Sequence, residues 1–144
     1  RRGAIYFAVI ALVAFGWFAT QASYNSSANL ESNVVLPDDA IVAVNVPASI
    51  SDQEQIGKRA YDAVCADCHG TNGQGRVGIA PPFVHKIYEP SHHGDVAFVL
   101  AAQNGVRAHH WKFGNMPAVE GVTRSDILDI VSYIRALQRA NGIY

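Results

Sequence analysis

The sequence predicts an all-α domain built on three main helices, preceded by a single N-terminal transmembrane helix. Three observations carry this. Residues Gly3 to Thr20 form an uncharged, largely apolar run. Two later stretches open with helix-capping signatures and continue with apolar residues at helical spacing. The connections between them are rich in Gly and Pro, and no sustained strand alternation or internal repeat interrupts them. The expected organisation is an anchor over 1–22, a linker or strap over 23–50 and a folded domain over 51–144.

The anchor is argued from length and flanks. A run of 18 residues rises roughly 27 Å as a helix, close to the hydrocarbon thickness of a bilayer. Arg1 and Arg2 precede it, while Trp17 and Phe18 sit near its other end, where interfacial aromatics are favoured. The positive-inside rule then leaves residue 1 in the cytoplasm and the domain on the far side. A cleaved signal peptide, with Thr20-Gln21-Ala22 as the small-residue site, is the competing reading.

Gln21 to Asn33 is polar and rich in Ser and Asn, as suits a tether. Val34 to Pro47 alternates apolar and polar residues around Ile41, Val42, Val44 and Val46. It reads equally as an extended segment lying on its own domain and as a strap that docks on a partner.

Within the domain, Ser51 with Glu54 has the form of a capping box, and a helix follows through Ile56, Ala60 and Val64. A second helix is expected from about Asp95 to Asn104, closed by Gly105. Thr123 with Asp126 opens a third, whose Ile127, Ile130, Val131, Ile134 and Leu137 follow the helical period. Arg135 and Arg139 lie near its C-terminus, where cations suit the helix dipole. Asn141-Gly142 ends it.

The chemistry lies in Cys65-Ala66-Asp67-Cys68-His69. These are the chain's two cysteines, and a pair so close cannot staple distant parts of a fold. Cys-x-x-Cys-His is the attachment signature of c-type haem: two thiols bond the porphyrin and the adjacent imidazole meets the iron. A thioredoxin-like pair would require a βαβ context, which is not visible. A structural zinc site would require two further ligands. A disulfide across two residues would leave His69 unexplained. One haem c, covalent through Cys65 and Cys68, is therefore expected, with His69 as an axial ligand.

The single methionine, Met116, lies in Phe113-Gly114-Asn115-Met116-Pro117. A lone Met usually fills core space. Flanked by Gly, Asn and Pro on a loop, this one is better placed as the second axial ligand, a soft thioether that stabilises ferrous iron.

With these residues in view, residues 51–144 resemble the class I cytochromes c. That family has a helix leading into CxxCH, a proline-bearing loop, a ligand Met on a later loop and a closing C-terminal helix. The resemblance implies that fold, with three main helices around one haem. It implies that the Pro81 carbonyl accepts the N–H of His69. It also implies that Gly57 and Tyr61 meet Tyr133 and Leu137 where the first helix crosses the last.

His85, His92, His93, His109 and His110 exceed what the motif requires. Any of them replacing Met116 would give a bis-His haem of lower potential. A second metal site from the two His pairs is a weaker reading still, because exposed histidines are mostly surface polar groups. Buried propionates need donors. Arg107 and Trp111, with His109 or His110, lie shortly before the Met loop and are the expected ones; Lys86 and Tyr88 are further candidates. For Arg107 the plainer alternative is solvation of the end of the second helix.

These features point to electron transfer, not catalysis, because an iron held by His69 and Met116 has no open site. The alternative is a haem peroxidase or gas-binding sensor with Met116 off the iron. Net charge is −1 over 144 residues, and residues 51–144 carry nine Lys/Arg against nine Asp/Glu. Nothing there suits nucleic acid, and long-range steering is weak. The expected partner is a membrane-embedded redox complex: a quinol–cytochrome c reductase, a terminal oxidase, a reaction centre or a dehydrogenase. The expected location is a bacterial inner membrane, single-pass, with the haem domain on the periplasmic side.

Overall fold

The computed structural model describes residues 37–144. The expected anchor over 1–22 and the first part of the expected linker lie outside the described residues. Among the described residues, no helix is long and apolar enough to cross a membrane.

The capping boxes form as the sequence expects. Ser51 receives the amide of Glu54, and the Glu54 carboxylate receives the amide of Ser51 at 2.7 Å, opening α1 (Asp52–Val64). Cys65 ends α1 and begins α2 (Ala66–His69), a single turn. Single 3₁₀ turns follow at Thr71–Gly73 and Lys86–Tyr88. The third helix, α3, spans Asp95–Asn104 and stops at Gly105. Thr123 and Asp126 make the second capping box, and α4 runs over Arg124–Ala140. Isolated bridges are the only β pairing among the described residues: Ala40 with Arg76, Arg76 with Ala80, and Val106 with Met116.

The core forms where α1 crosses α4. Tyr61, Ile130, Tyr133, Ile134 and Leu137 are buried together with Phe83 and Val84 from the intervening loop. Gly57 is the point of closest approach. A Cβ there would stand 1.9 Å from the carbonyl oxygen of Asp129, so only glycine fits. Tyr61 and Tyr133 meet edge to face with centroids 5.7 Å apart. Their hydroxyls donate to the Gly70 carbonyl at 2.8 Å and to Asn72 Oδ1 at 2.7 Å. The helix crossing thus fixes the chain immediately after the cysteine motif. A second cluster, Val99 with Ile127 and Val131, seats α3 on α4.

Residues 37–50 lie on the domain. Val42, Val44 and Ile50 pack against the main core. The amide of Val77 donates to the Asp39 carbonyl at 2.7 Å, and Arg76 Nε donates to Asp39 Oδ2 at 2.6 Å. Asn141 exchanges two hydrogen bonds with the Asn45 backbone. Of the two readings of this segment, the structure shows Val42 and Val44 covering their own domain, while Val46 stays 51% exposed.

Arg135 departs from its expected role at the helix terminus. Its side chain turns inward and is only 9% exposed. It donates to Asp95 Oδ1, to the carbonyls of Tyr88 and His93 and to Gln138 Oε1, and it lies over the Phe98 ring. Gln138, fully buried, donates to the carbonyls of Phe83 and Tyr88. An unpaired charge this deep would be expensive. These two side chains instead satisfy carbonyls of a Pro-containing loop whose regular structure is limited to the 3₁₀ turn at Lys86–Tyr88. Arg139 remains near the surface and pairs with Glu54 at 2.8 Å.

Candidate haem site

The attachment motif occupies one helical turn. The amides of Cys68 and His69 both donate to the Cys65 carbonyl, at 3.2 and 2.9 Å. Side chains three and four residues apart share a helix face, so this turn presents Cys65, Cys68 and His69 together. Cys68 is exposed and Cys65 partly buried, and no disulfide joins them. Burial, with a lesser contribution from Cys68, pushes the Cys65 thiol up to about 11. Among the described residues the pair is surrounded by helices, not by the βαβ context that a thioredoxin-like pair requires.

His69 is buried, and its Nδ1 lies 2.8 Å from the Pro81 carbonyl oxygen. A carbonyl can only accept, so Nδ1 carries the proton and Nε2 keeps its lone pair. Burial holds the imidazole below its usual range, with the Pro81 bond opposing. The ring is therefore neutral near pH 7, the form that binds metal. Phe83 stacks on it with centroids 4.0 Å apart. Pro81 is thus where the family resemblance placed it.

His69 opens onto a cavity of about 590 Å³ whose lining includes Cys68, Phe98, Val106, Trp111 and Met116. That is within the size range of cofactor sites. A second cavity of about 260 Å³ shares Cys68, His69, Phe83 and Met116 with it and is closed by Ile127, Val131 and other residues of α4. Met116 is held through its backbone, which exchanges hydrogen bonds with Val106 at 2.9 and 3.0 Å. Gly105 sits beneath this pairing with φ 73° and ψ 177°, a conformation essentially confined to glycine. A Cβ there would lie 2.6 Å from the Met116 carbonyl oxygen. Asn115 accepts the amide of Ala108 at 2.9 Å and closes the loop.

The other expected site residues separate. Trp111 lines the cavity, stacked on Phe113 with ring planes 10° apart. Its Nε1 is buried without a hydrogen-bond partner. The Tyr88 phenol, pushed up by burial, feels this N–H, but no bond of ordinary distance and angle joins them. Buried donors are rarely left unmade, so Trp111 offers a hydrogen bond to a group seated in the cavity. Arg107 is exposed and is not among the residues that line it. Lys86 is exposed as well, while Tyr88 lines the cavity.

His85 caps the 3₁₀ turn, accepting the amide of Ile87, and packs edge-on against Trp111. His93, His109 and His110 reach the cavity lining. His110 is held below the usual imidazole range by partial loss of water and by its neighbours His109, His93 and His92. Sequence reasoning did not single out Phe83 or Phe98, which line the cavity, and read Arg135 as a helix-end cation, although it lies behind the Phe98 ring. Phe83 gave a signal, since it is an aromatic two residues beyond Pro81.

These residues fit a large, mainly apolar, iron-centred group with polar edges. Cys65 and Cys68, which both line the smaller cavity, can tether it; His69 and Met116 line both cavities, and a buried N–H awaits an acceptor. Residues 54–138 match the family model for cytochrome c, a span that takes in Cys65, Cys68, His69, Pro81 and Met116. No curated protein matches the chain. The cysteine pair therefore carries one covalent haem c, and the chain belongs to the cytochrome c family as a haem-based electron-transfer protein.

Proposed function

We propose that His69 and Met116 are both axial ligands, and that the chain carries electrons between membrane-bound partners while tethered by its N-terminal segment. The observation that supports this best is that His69, with its lone pair assigned to Nε2, and Met116 line the same cavity from two separately held segments. Haem, when bound, supplies a one-electron Fe(III)/Fe(II) couple. The protein's residues do the rest. The Pro81 carbonyl fixes the His69 ring and makes it a stronger donor. The Met116 thioether favours the ferrous state and raises the potential. Trp111 would give its buried N–H to a polar edge of the haem. The close contact of Gly105 with the Met116 carbonyl and the hydroxyl bonds of Tyr61 to Gly70 and of Tyr133 to Asn72 hold both ligand segments, so little rearranges when the charge changes.

Electrons would leave through an edge that the chain leaves open. Cys68 is exposed, and Ile79 and Leu100, both cavity-lining, are 45% and 51% exposed. An apolar rim on a domain with balanced charge favours brief contacts over strong complexes. The uncharged run Gly3–Thr20 would keep the domain near its partners and so raise their effective concentration. The partners are then membrane complexes on the periplasmic side of a bacterial inner membrane: a quinol–cytochrome c reductase, a terminal oxidase, a reaction centre or a dehydrogenase.

The full chain with its haem should stay in membranes washed with alkaline carbonate. It should titrate as a single one-electron couple and co-purify with a redox complex in mild detergent. Release of the haem protein into the wash would refute the tether. Failure to cycle reversibly would refute the carrier role.

A further inference from the structure

We propose that His92, His93 and His110 form a second metal site, which takes one zinc or copper(II) ion at the mouth of the haem cavity. One ring nitrogen from each of the three lies within 4.8 Å of the other two. A tetrahedral zinc centre with Zn–N bonds of roughly 2.0–2.1 Å sets its nitrogen ligands roughly 3.4 Å apart. His92 Nε2 and His110 Nε2 already stand 3.4 Å apart. Only His93 has to close in, by a small tilt that keeps its bond to the Ile87 carbonyl.

The segments carrying these rings are held independently of any ion. The amides of His92 and His93 both donate to the Glu89 carbonyl, at 3.0 and 2.8 Å. The His93 carbonyl accepts Arg135 Nη2 at 2.5 Å, so the buried arginine braces this turn. His93 Nδ1 lies 2.7 Å from the Ile87 carbonyl oxygen. It must be the protonated nitrogen, which leaves the Nε2 lone pair free. Metal-binding imidazoles are commonly oriented by such a bond from the second nitrogen. His110 arrives from the separate loop that leads to Met116. His109 packs on His110 with centroids 4.3 Å apart but is not one of the converging three.

The donor set selects the metal. Three imidazoles with no carboxylate or thiolate suit zinc and copper(II), and do not suit magnesium or calcium. The fourth position is left to water, as in other three-histidine sites. Without an ion, the 3.4 Å contact is an imidazole–imidazole hydrogen bond on the surface. That reading makes the opposite prediction for metal binding. His93 and His110 also line the haem cavity, so a bound cation would disfavour the oxidised haem and raise its midpoint potential. The site does not depend on Met116 being a ligand, and it stands or falls separately from the electron-transfer reading.

The test uses the full haem-loaded chain, purified without a polyhistidine tag, stripped with chelator and dialysed against zinc or copper(II). Metal analysis should find one ion per chain. His92→Ala should weaken binding at least roughly 10–100-fold, the loss seen for groups that merely orient a ligand. His92→Ala with His110→Ala should abolish it. Both residues are exposed, so an unchanged far-ultraviolet circular dichroism spectrum will show that the variant is folded. His85→Ala should leave binding intact. Zinc should raise the midpoint potential of the unaltered chain and not that of the double variant. The absence of a bound ion, or an ion retained by the double variant, would overturn the site. A potential indifferent to zinc would overturn its placement beside the haem.

Discussion

Replacing Gly57 with alanine sets two effects of opposite sign against each other. Gly57 lies inside α1, where alanine is intrinsically better by about 1 kcal/mol. On propensity alone the variant would be more stable. The new Cβ, however, would lie 1.9 Å from the Asp129 carbonyl oxygen and 2.5 Å from its carbon. Both obstacles are backbone, so no side chain can swing aside. Restoring ordinary contact requires α1 and α4 to part by about 1.5 Å, more than the gap that already forfeits a quarter to a half of a dispersion well. Tyr61, Tyr133, Ile134 and Leu137 all pack at this interface. A cost of about 3 kcal/mol, the upper end for overpacking, outweighs the propensity gain and leaves a net loss of about 2 kcal/mol. For a domain of this size that lowers the melting temperature by roughly 10 °C. The assay is thermal unfolding of the haem-loaded chain by circular dichroism, with Gln55→Ala, on the exposed side of the same helix, as control. A Gly57→Ala chain as stable as the original would refute the close crossing on which the core argument rests.

Gly105→Ala should act on the Met loop. The φ/ψ pair there costs a residue with a side chain about 1–3 kcal/mol, and its Cβ presses on the Met116 carbonyl. The variant should therefore be less stable by calorimetry and bind carbon monoxide faster in the reduced state. Arg135→Leu removes a nearly buried charge together with the donors to the Tyr88 and His93 carbonyls. A loss of about 3 kcal/mol in guanidinium unfolding is expected, with faster amide exchange across residues 88–93. Glu54 is held below its ordinary value of 4.5 chiefly by the Ser51 amide, with the Ser51 hydroxyl and Arg139 assisting against desolvation. A depressed carboxylate contributes stability above the unfolded value and loses it as pH falls through the folded one. Glu54→Gln keeps an acceptor for the Ser51 amide and loses only its charge and the Arg139 pair, so it should cost about 0.5 kcal/mol near neutral pH, and the difference from the original chain should shrink below pH 4.5.

The first and last helices were legible in the sequence because each is opened by a local device. Ser51 with Glu54 and Thr123 with Asp126 act within four residues, and both form as read. Gly105 likewise ends α3 through its own backbone. The attachment motif is equally local. What was not legible depends on which surface a residue meets. The alternation around Val42 and Val44 marks an apolar face without saying what covers it. Arg135 has the position of a dipole-complementing cation, and only the path of the Tyr88–His93 loop turns it inward. The pairs His92-His93 and His109-His110 are ordinary polar residues in the chain. Their convergence depends on two loops meeting in space.

The absorption spectrum of the oxidised protein, with and without Met116, tests the central claim most directly. If Met116 binds the iron opposite His69, the oxidised chain should show the weak far-red charge-transfer band of sulfur ligation, and the reduced chain should resist carbon monoxide. Met116→Ala should abolish the band, open the site to carbon monoxide and lower the potential. An original chain that lacks the band and binds carbon monoxide at once would contradict the account, pointing instead to an iron with an open coordination site.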